Sequence, residues 1–297
     1  MPSSRHFVAC LPALLLSALL LTACGDSPSS DSPPATLDTV AATATTEVTK
    51  PSVVVPAGLP TELVVSDLAT GSGARAATGD TVIVHYVGVR SVDGDEFDNS
   101  YDRGAPLEVP LGSGRVIAGW EQGLVGVQQG GRRQLDIPAD LAYGDTPPAG
   151  GPILPGDALT FVVDVVAVLP ASDAADEPAD TPQPAGNTDV LVSDDLIVGT
   201  GAKPADGLTV AMHIVSFRAD TAERLASDWG SKPLIFDFTA QTEVYPGLIA
   251  AVRGMQVGGR RLVQIPYSLM FDGLGSAGLG LPAGIDLVVV IDLVAVY

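Results

Sequence analysis

The chain repeats itself once, and the repeat constrains the fold more than anything else in it. Gly71-Ser72-Gly73 returns as Gly199-Thr200-Gly201, and His85 returns as His213. Gly131-Arg132-Arg133 returns as Gly259-Arg260-Arg261, and Ile137-Pro138 as Ile265-Pro266. Asp164-Val165-Val166-Ala167-Val168 returns as Asp292-Leu293-Val294-Ala295-Val296. Every pair lies 128 positions apart, as His85 and His213 do. A constant separation over the whole region marks a duplicated domain. The period is far too long for a solenoid, so each copy carries its own core. The 297 residues leave room for about two ordinary domains.

Within a copy the apolar residues alternate. In Thr81-Val82-Ile83-Val84-His85-Tyr86-Val87, the residues Val82, Val84 and Tyr86 share one face. Residues 131–137 and 159–169 are rich in β-branched side chains and read as further strands. A short helix fits residues 119–125, where Trp120, Leu124 and Val127 are spaced to face a sheet. Gly and Pro punctuate the rest. The class is α+β: several antiparallel strands and one short helix per copy. Residues 171–189, rich in Ala, Asp and Pro, read as a linker between globular regions at 57–170 and 190–297.

Composition narrows the function. A net charge of −20 repels phosphate backbones, which argues against nucleic acid as a partner. Two cysteines and three histidines leave little for metal or thiol chemistry, and no cofactor motif is present. At the N-terminus, Arg5 and His6 precede an apolar run, Phe7 to Leu21, that is too short for an ordinary membrane span. It ends in Leu21-Thr22-Ala23-Cys24-Gly25, which resembles the bacterial lipobox. Residues 1–23 are therefore expected to be a lipoprotein signal peptide. Cleavage would leave Cys24 lipidated, remove Cys10 and leave no pair for a disulfide. Two or three acyl chains hold a protein stably at a membrane. Residues 24–56, polar and without periodicity, are expected to be a disordered tether. The implied location is the extracytoplasmic side of a bacterial cell envelope.

Five motifs of the first copy stand in a distinctive order: Val84-His85-Tyr86-Val87-Gly88, then Asp93-Gly94 with Glu96-Phe97-Asp98-Asn99-Ser100, then Val116-Ile117-Ala118-Gly119-Trp120-Glu121, Ala142-Tyr143-Gly144, and Ile153-Leu154-Pro155. Over residues 59–169 this copy resembles the FKBP-type peptidyl-prolyl cis–trans isomerases. The resemblance implies two FKBP-like domains, each a twisted antiparallel sheet wrapped around a short α-helix, with an apolar pocket between them. It implies Trp120 as the pocket floor and Tyr86, Phe97 and Phe161 as aromatic walls. Val116 and Ile117 would line the pocket, with the Ile117 N–H donating to substrate. The Tyr143 hydroxyl would reach a substrate carbonyl, and Asp98 would accept hydrogen bonds near the twisting amide and pair with Tyr86 and Arg103. Leu154 would belong to an overhanging loop. Taken singly, each of these residues is ordinary packing, turn chemistry or a surface pair; their joint order and spacing carry the functional reading. Leu107 stands where the family commonly has a bulky aromatic. The loop from Asp145 to Pro155 lacks a histidine often found there. Both departures bear on substrate preference and macrolide affinity.

At the 128-residue offset the second copy replaces Tyr86 by Ile214, Phe97 by Leu225, Asp98 by Ala226, Trp120 by Leu248, Tyr143 by Phe271 and Phe161 by Val289. One residue is missing from the loop before Pro233. The framework is kept while the site chemistry is lost, so the second domain is expected to fold without catalysing. Trp229 and Tyr245 read as aromatics without counterparts in the first copy, and the paired arginines as exposed positions of framework strands. The expected function is isomerisation of X-Pro bonds in proline-containing clients outside the cytoplasm, with macrolides as possible inhibitors. The alternative is a chaperone or scaffold lipoprotein using the fold for client binding.

Overall fold

The computed structural model describes residues 49–179, 182–239 and 244–297. The expected signal segment, Cys24, Cys10 and most of the tether lie outside the described residues. The first copy contains β1 (Val64–Ala69), β2 (Thr81–Arg90), β3 (Glu96–Asn99), β4 (Leu107–Pro110), α1 (Ala118–Gly123), β5 (Arg132–Ile137) and β6 (Leu159–Leu169). The second contains β7 (Val192–Ile197), β8 (Thr209–Arg218), β9 (Arg224–Ser227), β10 (Leu234–Asp237), α2 (Pro246–Val252), β11 (Arg260–Ile265) and β12 (Leu287–Val296). Each copy is one six-stranded antiparallel sheet. The first is ordered β1-β5-β6-β2-β3 with β4 also on β2, and the second has the same plan.

The alternation along β2 is what the core uses. Val82, Val84 and Tyr86 turn toward α1 and pack with Trp120, Leu124, Val127, Leu135 and Ile137. Ile83 points to the opposite face and joins Ala167 and Leu169 against Ala211 and Ala295 of the second domain. Strands buried on both faces lose the polar half of the period-two pattern, which is why β6 reads as a nearly unbroken apolar run. Both sheets fall in one compact unit.

The helix is shorter than the 119–125 expected, because its last carbonyls are captured from outside. Arg133 Nη1 donates to the carbonyls of Gly123 (2.8 Å) and Val125 (3.2 Å), while Nε and Nη2 donate to Asp67 on β1. The second copy repeats the clamp: Arg261 donates to Ala251 and Arg253 carbonyls and to Asp195. Arg132 turns the other way, onto Asp164. The arginine pairs thus lie on opposite faces as alternation requires, but Arg133 is buried rather than exposed.

Two segments read as loose chain lie against the domains over their described parts. Lys50 Nζ donates to Glu96 and Asp102, and the Val54 carbonyl accepts from Gln134, so residues 49–56 are laid along the first domain. The Ala-, Asp- and Pro-rich linker pairs Glu177 with Arg224, and its Thr188 N–H donates to Asp286. Polar side chains without helical or strand periodicity leave no local signal for such contacts; only the partner surface creates them.

Candidate active site

β3 pairs with the C-terminal half of β2 and β4 with its N-terminal half. Between them residues 100–106 swing out from the sheet, held where Ser100 N–H donates to the Tyr86 carbonyl. The split edge opens a cleft of about 370 Å³ over α1. Trp120, 3% exposed, is its floor. Phe161 meets Trp120 edge to face at 5.2 Å and Phe97 at 5.5 Å, and Tyr86 meets Trp120 at 5.2 Å. Such edge-to-face contacts fix ring positions as well as burying area. Val116 and Ile117 line the cleft just ahead of α1. Ile117 is the helix N-cap, so its N–H lies outside the helical ladder, and it has no acceptor among the described residues.

One polar cluster faces this apolar box. Tyr86 Oη donates to Asp98, Arg103 Nη1 donates to the other Asp98 oxygen, and Arg103 Nη2 donates to Tyr86 Oη at 2.8 Å. The Arg103 guanidinium lies over the Tyr86 ring. Burial, reinforced by the bond to Asp98, pushes the Tyr86 hydroxyl up to about 12. Tyr143 stands at the rim with its hydroxyl unpartnered among the described residues; burial and the nearby Asp98 charge push it up as well. The indole N–H of Trp120 is buried without a partner.

Of the residues singled out from the sequence, Tyr86, Phe97, Asp98, Val116, Ile117, Trp120, Tyr143 and Phe161 line one cleft. Arg103 does not line it; its guanidinium is bonded to Asp98 and Tyr86, which do. Leu154 does not line it: the residue is exposed, and its amide is tied to Asp157, which Arg90 holds in turn. Two lining residues were not assigned from the sequence. Leu107 sits at the position noted for its missing aromatic, and Arg115 is a lone basic residue beside the Val116-Ile117 motif. Among the described residues no group of three or more His, Cys, Asp or Glu is placed to hold a metal ion.

The sequence profile of the FKBP-type peptidyl-prolyl cis-trans isomerases matches this chain twice, over residues 73–166 and 200–294. The chain belongs to that family. The FK506-binding protein of Streptomyces anulatus is 52% identical over 122 residues, which span 41% of this chain and 98% of the relative. The probable FK506-binding protein of Corynebacterium glutamicum is 47% identical over 118 residues, 39% of this chain and 97% of the relative. The FK506-binding protein of Neisseria meningitidis serogroup B is 42% identical over 106 residues, 36% of this chain and 95% of the relative.

As an FKBP, the protein is a peptidyl-prolyl isomerase, and its chemistry needs neither nucleophile nor cofactor. Rotation about the amide C–N bond meets a barrier of about 18–20 kcal/mol because resonance is lost. A dry aromatic cleft favours the twisted, less polar amide over the planar one, and each ~1.4 kcal/mol of that preference is a tenfold rate gain.

The register of the second FKBP domain aligns its degenerate positions without ambiguity. Gly88 pairs with Asp98 on β2–β3, and Ser216 with Ala226 on β8–β9. The missing residue falls after β9: Leu107 pairs with Val84, and Leu234 with Met212, one position short of the offset. Trp229 has a counterpart after all, Tyr101. Both pack against the repeated histidine, Tyr101 stacked on His85 at 4.9 Å and Trp229 tilted on His213 at 5.3 Å. Tyr245 occupies the Ile117 position as N-cap of α2 and packs on Phe271, the counterpart of Tyr143, at 5.0 Å. It is a packing residue, not a free surface aromatic.

Proposed function

We propose that the isomerase activity resides in the first FKBP domain alone, that its clients are X-Pro segments of extracytoplasmic proteins, and that the second domain does not catalyse. The supporting observation is the convergence of Tyr86, Asp98, Trp120 and Tyr143 on one cleft, against Ile214, Ala226, Leu248 and Phe271 in the second copy. In this reading Trp120 carries the proline ring, the Ile117 N–H and Tyr143 hydroxyl hold substrate carbonyls, and Asp98, oriented by Tyr86 and Arg103, faces the rotating amide. The same cleft takes a macrolide, as the names of the relatives suggest. Leu107, smaller than an aromatic, widens one wall.

Lipidation of Cys24 and anchoring outside the cytoplasmic membrane belong to the same proposal, supported by the apolar run and the Leu21-Thr22-Ala23-Cys24 sequence. Mass spectrometry of the membrane-extracted protein would show a diacylated Cys24. An unmodified Cys24 in the mature, membrane-extracted protein would overturn the anchor.

Activity is tested on the two-domain chain, residues 49–297, with a short X-Pro peptide. Asp98→Asn should lower kcat/KM about tenfold, the worth of one aimed hydrogen bond, and Asp98→Asn with Trp120→Leu should abolish it. Substantial activity in the double variant would place a live site in the second domain. The retained fold of that domain, with its site replaced, favours a second reading as client holder: prevention of client aggregation should survive Asp98→Asn.

A further inference from the structure

The active cleft continues into a groove that the second domain helps to build. Arg115, on the turn between β4 and α1, lines both the cleft and a groove of about 510 Å³ beside it. The first domain supplies the groove floor, with Glu108 and Pro110 of β4 and Ser113. The opposite wall is the turn Gly230 to Pro233 of the second domain. That wall is fixed in place: Lys232 Nζ donates to Glu108 at 2.5 Å, and the Gly230 N–H donates to Ser172 Oγ at 3.2 Å. In the first copy the corresponding loop carries Arg103 of the active site. In the second it is one residue shorter and forms the wall instead.

Charge sets what the groove prefers. In this chain of net charge −20, arginines 90, 103, 132, 133, 218, 224 and 261 each hold a carboxylate. Arg115 is exposed, and its guanidinium holds none among the described residues. Lys232 is neutralised by Glu108. Arg115 thus brings to the junction of cleft and groove a positive charge that no carboxylate holds, while the Glu121 carboxylate of α1 is taken up by the Gly112 and Gly114 N–H groups of the same turn, on a surface that otherwise repels acidic chains.

We propose that the groove seats the client segment flanking the isomerised proline, and that Arg115 selects clients with an acidic residue there. The second domain thus serves substrate choice through its retained fold rather than through chemistry. This rests on the reading that X-Pro segments occupy the first-domain cleft.

The test uses the two-domain chain and peptides of one length with a common X-Pro core, bearing Asp, Ser or Lys two to four positions from the proline, on either side. On one side kcat/KM should rise about two- to fivefold for Asp over Ser, the range of an exposed ion pair, and fall for Lys. Salt should flatten the difference. Arg115→Glu should invert the Asp-to-Lys ratio, a comparison made within one variant and so independent of its overall activity. Lys232→Glu should reduce the ratio, since it adds an unpaired negative charge to the wall. Equal rates for Asp, Ser and Lys on both sides, or a ratio that Arg115→Glu leaves unchanged, would overturn the proposal. If no peptide were isomerised, the first-domain reading would fail instead. Fluorescence anisotropy of the same labelled peptides would then decide the groove, by the same ordering and its inversion.

Discussion

Gly88 shows how one position answers to the site. A Cβ there would lie 2.6 Å from Phe161 and 2.8 Å from Phe97, so the two aromatic walls require a hydrogen. In the second domain both rings are gone, replaced by Val289 and Leu225, and Ser216 fills the place. Gly88→Ala is expected to push the rings into the cleft, cost about 1–3 kcal/mol as overpacking does and lower kcat/KM about tenfold, read by denaturant melts and peptide kinetics. Protonation is also decided at this scale. The neutral Tyr86 phenol is the favoured form in the fold, because its hydroxyl is raised to about 12. Its stabilisation is fully present below the ordinary tyrosine value of 10.0 and is lost as pH rises through about 12. The isomerisation rate should therefore stay flat up to about pH 10. A fall beginning near neutrality would assign the rate to another group.

At the scale of elements, the second domain keeps its fold by compensated exchange. Gly123 of α1 packs on Leu135, and a Cβ there would lie 2.7 Å from it. Ala251 faces the smaller Val263, so the added methyl is matched by a lost one. The arginine clamp binds three elements in each copy: helix end, first strand and β5 or β11. Arg133→Ala should destabilise the first domain by about 1–3 kcal/mol, since it leaves the Gly123 and Val125 carbonyls without their donor. Arg261→Ala should do the same to the second, both read by urea melts. The hydrogen bonds from Arg133 and Arg261 hold the Asp67 and Asp195 carboxyls below their ordinary value of 3.8. That stabilisation is present above 3.8 and lost as pH falls through the lowered values, so acid should loosen both clamps only below about pH 4.

At the scale of the whole molecule, the domains share apolar surface as well as a linker. Leu169 is 1% exposed and packs with Ile83 and Ala167 against Ala211 and Ala295. Leu169→Asp would bury a carboxylate without a cationic partner in that layer. It should split a single calorimetric transition into two and weaken the inter-domain groove. One unchanged transition would show that the domains melt together without needing this contact.

The sequence by itself determined the duplication, the α+β class, the strands that alternate and most of the cleft, because period and motif order are local and linear. The substituted positions of the second copy were legible for the same reason: a constant offset carries each site residue to its replacement. Other features were decided by tertiary structure. Arg133 became a buried clamp because a helix end and a strand converge on it, which no neighbour in sequence announces. Trp229 proved equivalent to Tyr101 through the histidine both pack against. Arg115 joined the cleft because an edge split between β3 and β4 opens beside it, and it borders a groove because another domain packs there. Contacts between distant segments depend on which surfaces meet, and that is fixed only when both copies fold and bury their shared face.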